Sequence, residues 1–236
     1  MSIAENVAQL RAEIEKAARA AGRDPKSVTL CAATKMNDGA RVREAIAAGI
    51  TCCGENRVQE LTQKLSEDAY RGASVHFIGH LQTNKVKQVV GKVDLIQSVD
   101  SVRLLCAISR EAQRQNICQD ILLEVNIGQE ESKTGFSVGE VWEILEKIRD
   151  FPNIRIMGLM TIPPICKNKG DNNKFFQEIC NLAVDITRKT YDNVCMEILS
   201  MGMSDDFVDA ISCGSTMVRV GTAIFGARDY TKSAST

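Results

Sequence analysis

The sequence has no run of like charge, no apolar stretch of membrane length and no cysteine pair at metal-binding spacing. Its 29 basic residues balance 30 acidic ones, for a net charge of -1. With neither sign massed in one stretch, there is no electrostatic case for nucleic-acid or membrane binding. No apolar segment reaches the roughly 18 residues that crossing a bilayer requires. The opening MSIAENVAQLRAEIEKAARAAG predicts an amphipathic helix carrying Glu5, Glu13 and Glu15. It lacks the basic start and unbroken apolar centre of a signal peptide, so a cytoplasmic protein is expected. The nine cysteines are odd in number, scattered through apolar runs and never spaced as CxxC. Buried free thiols follow from that scatter, whereas a zinc site or a disulfide framework does not.

Other signatures are missing too. GHLQTNKVK (79–87) lacks the glycines of a phosphate-binding loop or a dinucleotide fingerprint. His76 and His80 lie four apart around a strand end instead of on one helix face, which argues against a metal pair. No nucleophile–histidine constellation stands out, and no metal ligand set is expected. Linkers, low-complexity stretches and repeats are absent.

What remains is a regular alternation. Strand segments are expected at 28–34, 50–54, 75–79, 93–99, 120–126, 154–160, 194–202 and 216–221. Helices are expected at 38–48, 56–69, 84–90, 101–115, 138–149, 171–190 and 204–213, after a first helix over about 2–22. Regular β–α alternation favours a parallel sheet, and eight strands without a compositional break favour closure. The expected fold is a single (β/α)8 TIM barrel over about 27–230 with an extra N-terminal helix. A doubly wound sheet is the competing topology. PPICKNKGDNN (163–173) reads as a surface loop.

In such a barrel, function collects at the C-terminal ends of the strands. The first strand, SVTLCAATKMNDG, ends on Lys35. Alternation puts Thr29, Cys31, Ala33 and Lys35 on the interior face, a set small enough to leave room beside an amine. A lysine in a partly desolvated mouth suits Schiff-base chemistry with an aldehyde; the plainer reading is a solvated lysine at a turn. The seventh strand ends at Ser200–Gly202, with Ser204 a suitable cap for the next helix. The eighth ends at Gly221, and Thr222 opens a short helical turn. Two such ends offer glycines, hydroxyls and backbone N–H groups to a phosphate, although the same residues are ordinary turn chemistry. Arg219 should point inward with Met217. It needs either a ligand acceptor atom or a structural mate, for which Glu124 is the candidate. Asn56, at the second strand end, would hydrogen-bond a ligand oxygen or cap the following helix. A lysine, an arginine and a phosphate site converging on one mouth are what pyridoxal 5′-phosphate (PLP) requires; a phosphosugar fits the cradle but not the lysine.

Six ordered blocks sharpen this picture: AATKMND, GENRVQE, HFIGHLQTNKVK, LEVNIGQEESKTGF, MGLMTIPP and ILSMGMSDDF…GSTMVRVGTAIFG. From about residue 25 to Tyr230 they resemble the YggS/PROSC family of PLP-binding proteins, itself similar to the N-terminal barrel of alanine racemase and other fold-type III PLP proteins. The resemblance implies that Lys35 carries PLP as an internal aldimine. It implies that Ser200, Met201, Gly221 and Thr222 hold the phosphate, that Arg219 approaches the pyridine nitrogen, and that Asn56 and Met160 line the cofactor. It implies a part in PLP homeostasis (storage, buffering or delivery), with PLP-dependent apoenzymes as recipients and no agreed catalytic reaction. KMND replaces a more usual lysine–threonine–basic–proline turn, and Val75 stands where an aromatic is frequent; both bear on the pocket rim. The chain ends soon after the eighth strand, so the second domain of alanine racemases is not expected, and a lone barrel reads as a monomer. The alternative is a weak PLP-dependent amino-acid racemase or lyase.

Overall fold

In the computed structural model, residues 1–130, 133–164, 168 and 170–226 are described. Part of the 163–173 loop and the expected barrel end at 227–230 lie outside them. Eight strands close into a barrel in sequence order: β1 Thr29–Ala33, β2 Cys52–Glu55, β3 Ser74–Phe77, β4 Leu95–Val99, β5 Gln119–Glu124, β6 Ile154–Met160, β7 Val194–Ser200 and β8 Met217–Val220. Every neighbouring pair is parallel, and β8 returns to β1.

Closure explains why the strands read as apolar runs on both faces, as parallel strands covered on both sides do. Every residue of β4 and β8 is buried. In β1, Leu30 and Ala32 join the large cluster shared with the helices, whereas Cys31 belongs to a small separate cluster with Cys52, Ile78 and Met217. A third cluster, Leu95, Leu122 and Met160, completes the apolar part of the barrel interior. In β8, Val218 and Val220 join the helix-side cluster and Met217 the interior one, as alternation requires.

The outer layer comprises α1 Ile3–Ala20, α2 Gly39–Ala47, α3 Val58–Ser66, α4 Val102–Gln115, α5 Val138–Glu146, α6 Asn173–Thr187, α7 Phe207–Ser212 and α8 Thr222–Phe225. A capping box of Ser2 and Glu5 starts α1, satisfying two backbone donors that would otherwise lack partners. This helix packs against α7, α8 and α2, filling the outer ring where α8 is a single turn. Asn6 Nδ2 donates to Ile224 O at 2.9 Å, and Arg23 Nη1 to Ile211 O at 2.9 Å and Ser215 O at 2.7 Å.

Three local expectations are corrected. The segment expected as a helix over 84–90 is a 3-10 helix, Thr83–Gln88. The helix expected to reach 149 stops at Glu146, and Ile148–Asp150 forms a separate 3-10 turn. Ser204 does not cap α7. That helix starts at Phe207, and the Asp206 carboxylate accepts the Met203 N–H at 2.7 Å, tightening the turn before it.

Candidate functional site

Parallel closure puts all C-terminal strand ends on one rim, and the register fixes who meets whom. Ala33 pairs with Gly54, Ala32 with Val220, and Met160 with Ser200. Lys35 therefore stands between the Glu55–Asn56 end of β2 and the Gly221–Thr222 turn after β8. The approach is close: a Cβ on Gly221 would lie 3.2 Å from Ala33 O and 3.3 Å from Ala33 Cβ.

The half-buried Lys35 sits in a turn whose next residue, Met36, takes a positive φ of 60°. The neighbours of Lys35 on both sides are tied to one buried ion triad. Lys64 Nζ donates to Thr34 O at 2.9 Å, Glu55 Oε2 at 2.6 Å and Glu60 Oε2 at 3.2 Å. Glu60 Oε2 in turn accepts the Met36 N–H at 2.7 Å. Glu55 also accepts from Thr34 Oγ1 at 3.0 Å, Tyr70 Oη at 3.3 Å and the Asn56 N–H at 2.8 Å. Burial, then the nearby Glu55 charge, push the Tyr70 hydroxyl well above its ordinary pKa. Sequence reasoning missed this clamp because Glu60 and Lys64, four apart on α3, look like an ordinary solvated pair. Only the buried Glu55 at the end of β2 turns them inward.

Arg219 lies in the interior, 5% exposed. Its mate is not Glu124: Nη1 donates to Ser200 O at 2.7 Å and Ser200 Oγ at 2.6 Å, and Nη2 to Thr161 O at 2.9 Å. No ion pair joins Arg219 to Glu124 among the described residues. Burial is the largest influence on Arg219 and lowers its pKa, yet guanidinium is so basic that it stays charged. The Glu124 carboxyl is raised above the usual carboxylate range, first by burial and then by Asp100.

Two residues expected at the phosphate, Ser200 and Met201, have hydrogen-bond partners within the barrel. The Ser200 hydroxyl donates to Gln97 Oε1 at 2.6 Å while accepting from Arg219, so its single proton is committed inside the barrel. Met201 is fully buried in the helix-side cluster; its N–H donates to Met217 O at 3.1 Å and its carbonyl accepts from Ser215 Oγ at 2.8 Å. Gly202 follows at φ +94°, where a Cβ would lie 2.6 Å from Ala210 Cβ, so only glycine lets this turn pack on α7. Thr222 and Ala223 open α8, where the first N–H groups of a helix have no intrahelical acceptor. Met160 packs on Leu95 and Leu122 inside the barrel. Asn56 does not cap α3, whose cap position is Arg57; its buried Oδ1 lacks a hydrogen-bond partner.

Beneath Arg219 the interior continues as a polar chain. Gln97 Nε2 lies 2.8 Å from His76 Nδ1 and 3.1 Å from Met217 Sδ, and Cys52 Sγ lies 3.4 Å from His76 Nδ1. Hydrogen bonding from Cys31, together with His76, brings the Cys52 thiol down to about 5 against the opposing effect of burial. Cys31 is correspondingly pushed well above its ordinary value. A cleft of about 270 Å³ lined by Glu124, Asn126 and Lys133 opens on the functional rim. A slightly larger one, about 290 Å³, lies at the opposite end beside α1 and holds no candidate residue.

Fold and rim together define a class: a parallel (β/α)8 barrel presenting a clamped lysine just past its first strand and a buried arginine on its last. The alanine racemase N-terminal domain family matches residues 6–229 of the chain. The pyridoxal phosphate homeostasis protein of Aquifex aeolicus is 41% identical over 230 residues, covering 98% of this chain and 100% of that one. Its namesake in Pseudomonas aeruginosa is 39% identical over 234 residues, with 99% of each covered. PipY of Synechococcus elongatus, solved with PLP bound, superposes with a TM-score of 0.82 at 32% identity, over 95% of this chain and 100% of that one. Diaminopimelate decarboxylase from Helicobacter pylori shares the fold alone, at TM-score 0.73 and 15% identity, over 94% of this chain and 62% of that one. The chain belongs to the YggS/PROSC family of pyridoxal phosphate homeostasis proteins, on the alanine racemase N-terminal fold.

Proposed function

We propose that the chain holds PLP at Lys35 and serves in homeostasis of that cofactor by storing, buffering or delivering it. The observation that carries the reading is the meeting of β1 and β8, which sets the Lys35 turn against Gly221 with Arg219 beneath. The residues present suit the group. Lys35 supplies the amine, the turns at Gly202 and Gly221–Thr222–Ala223 supply N–H groups and a hydroxyl for a phosphate, and Arg219 Nε has no acceptor among the described residues. The unpartnered Asn56 Oδ1 is a further polar atom available to a ligand. Ser200 and Met201 act here as supports, Ser200 by fixing Arg219 and Met201 by anchoring the turn that ends in Gly202.

Bound, PLP supplies an aldehyde that amines trap reversibly and a ring that can accept electrons. Arg219 disfavours protonation of any ring nitrogen it meets, which weakens that second property. The rim also presents Met36, Ile162 and Met203, 36–39% exposed, leaving the mouth open to water. Carbanion chemistry needs water excluded, whereas a carrier that takes up and releases its cargo does not. Release to PLP-dependent apoenzymes in the cytoplasm, from a monomer, completes the reading. Among the described residues no helix is long and apolar enough to cross a membrane.

The test is a titration of the PLP-free protein with PLP and with pyridoxal, followed by absorbance, then borohydride reduction and peptide mapping. Label on Lys35, lost in Lys35→Ala, is expected. PLP should bind more tightly by several kcal/mol, since each hydrogen bond to a charged group contributes about 1.5–3 kcal/mol. Label on another lysine, or equal affinity for both ligands, would overturn the assignment.

A further inference from the structure

Below the rim, three soft donors converge from three adjacent strands. Cys31 of β1, Cys52 of β2 and His76 of β3 bring two sulfurs and a ring nitrogen all within 4.8 Å of one another. They are 0%, 2% and 7% exposed. Register produces the convergence, because Cys31 and Cys52 are direct partners and both belong to the interior cluster, along with Met217. Space for it comes from Gly54, where a Cβ would lie 2.9 Å from Cys31 Sγ and 2.7 Å from Ile78 Cδ1. No linear spacing reveals this set, since 20 and 23 residues separate its members in the chain.

We propose that Cys31, Cys52 and His76 form a buried Zn²⁺ site inside the barrel. The distances suit it: Cys52 Sγ lies 3.8 Å from His76 Nε2. Tetrahedral zinc with bonds of about 2.3 Å to sulfur and 2.0 Å to nitrogen sets such ligands about 3.5 Å apart, so the Cys52–His76 pair needs little contraction and the full set, all within 4.8 Å, about 1 Å at most. The Gln97 amide N–H group faces Nδ1; for Nε2 to bind the ion, Nδ1 must carry the ring proton, so the Gln97 amide turns to offer it Oε1, the kind of acceptor that metal-bound histidines use. On binding, both thiols lose their protons to solvent. Two thiolates then cancel the charge of the ion and the imidazole stays neutral, so the buried assembly carries no net charge. The Met217 sulfur is a further soft atom in the same cluster. Turning the Gln97 amide would withdraw Oε1 from the Ser200 hydroxyl that fixes Arg219, so the metal and the rim would be coupled through this one side chain.

The test uses the full chain without PLP, so it stands or falls apart from the cofactor reading. Reduced, chelator-stripped protein is titrated anaerobically with Co²⁺ and then Zn²⁺. One Co²⁺ per chain is expected, with a sulfur-to-cobalt charge-transfer band and tetrahedral visible bands that Zn²⁺ erases. Cys31→Ala and Cys52→Ala should each weaken uptake by at least about tenfold, since even outer-shell changes cost that much. X-ray absorption of the wild-type zinc complex needs no variant to fold, and it should show two sulfurs and an imidazole. Failure to retain one equivalent, a shell of oxygen and nitrogen alone, or undiminished uptake in the Cys31→Ala, Cys52→Ala double variant would each overturn the proposal.

Discussion

Replacing Lys64 by methionine keeps the length of the side chain and deletes its charge. Three interactions vanish at once, to Thr34 O, Glu55 Oε2 and Glu60 Oε2. The Lys64 and Glu55 side chains are 5% and 0% exposed, so Glu55 becomes a buried carboxylate without a cation. Breaking a buried pair from one side costs about 3–5 kcal/mol. Glu55 keeps the Thr34 and Tyr70 hydroxyls and the Asn56 N–H, which favours the lower end, about 3 kcal/mol. For a domain of this size, about 2–4 °C are lost per kcal/mol, giving a fall in Tm of roughly 6–12 °C. Thermal and urea unfolding of the PLP-free protein measure it. The double variant Lys64→Met, Glu55→Gln leaves no orphan charge and should recover about half of the loss or more. The same substitution frees Thr34 O, and Glu60 is left to hold Met36 N without its counter-ion, so borohydride labelling at Lys35 should slow. A loss below about 1 kcal/mol, the level of an exposed pair, would refute the reasoning. So would a double variant as unstable as the single one.

Two further substitutions probe the rim. Gly202→Ala combines a φ of +94° with a Cβ 2.6 Å from Ala210 Cβ and 3.0 Å from Phe207 Cα, and should cost roughly 2–5 kcal/mol in urea unfolding. Gly226→Ala, at φ +84° with nothing within 4 Å, should cost only about 1–2 kcal/mol. For Glu124, the raised folded pKa means the native state binds the extra proton. Its contribution to stability is therefore full below the unfolded pKa and lost as pH rises through the folded one. Glu124→Gln should flatten that fall and make the protein more stable than wild type at neutral pH, as read from unfolding midpoints across pH.

The barrel was legible because both signals that specify it are local. Apolar runs such as DILLE and IRIMGLM mark strands buried on both faces, and β–α alternation at this chain length leaves few topologies. Side-chain alternation also put Cys31 and Arg219 inside and Val218 outside, as the clusters and the burial of Arg219 bear out. What local reasoning lacked was the partner across the barrel. Charge alone favours Glu124 as the mate of Arg219, but the register of β6 with β7 puts the Thr161 and Ser200 carbonyls within reach instead. Ser204 has the chemistry of a helix cap, yet the Asp206–Met203 turn delays α7 past it. The Cys31–Cys52–His76 cluster and the Lys64 clamp were illegible for the same reason: each joins residues that only strand pairing brings together.

The partners of Arg219 explain why its charge remains available to a ligand. Carbonyl and hydroxyl oxygens satisfy part of the guanidinium's hydrogen bonding without cancelling its charge, unlike a carboxylate at contact distance. Glu124, a carboxyl that acts on it through space, is itself held toward its neutral form by burial and by Asp100. A positive centre thus persists in a poorly screened interior, below turns whose N–H groups are also positive ends of dipoles. Such a site favours an anion with an acceptor atom over a neutral sugar or a cation. In the proposed reading, Lys35, clamped from both sides by neighbours that Lys64 and Glu60 hold, would add the amine that distinguishes an aldehyde-bearing anion from phosphate alone. On that reading, interior charge would select the ligand class and the clamped lysine would select within it, the division of labour that the proposed PLP carrier requires.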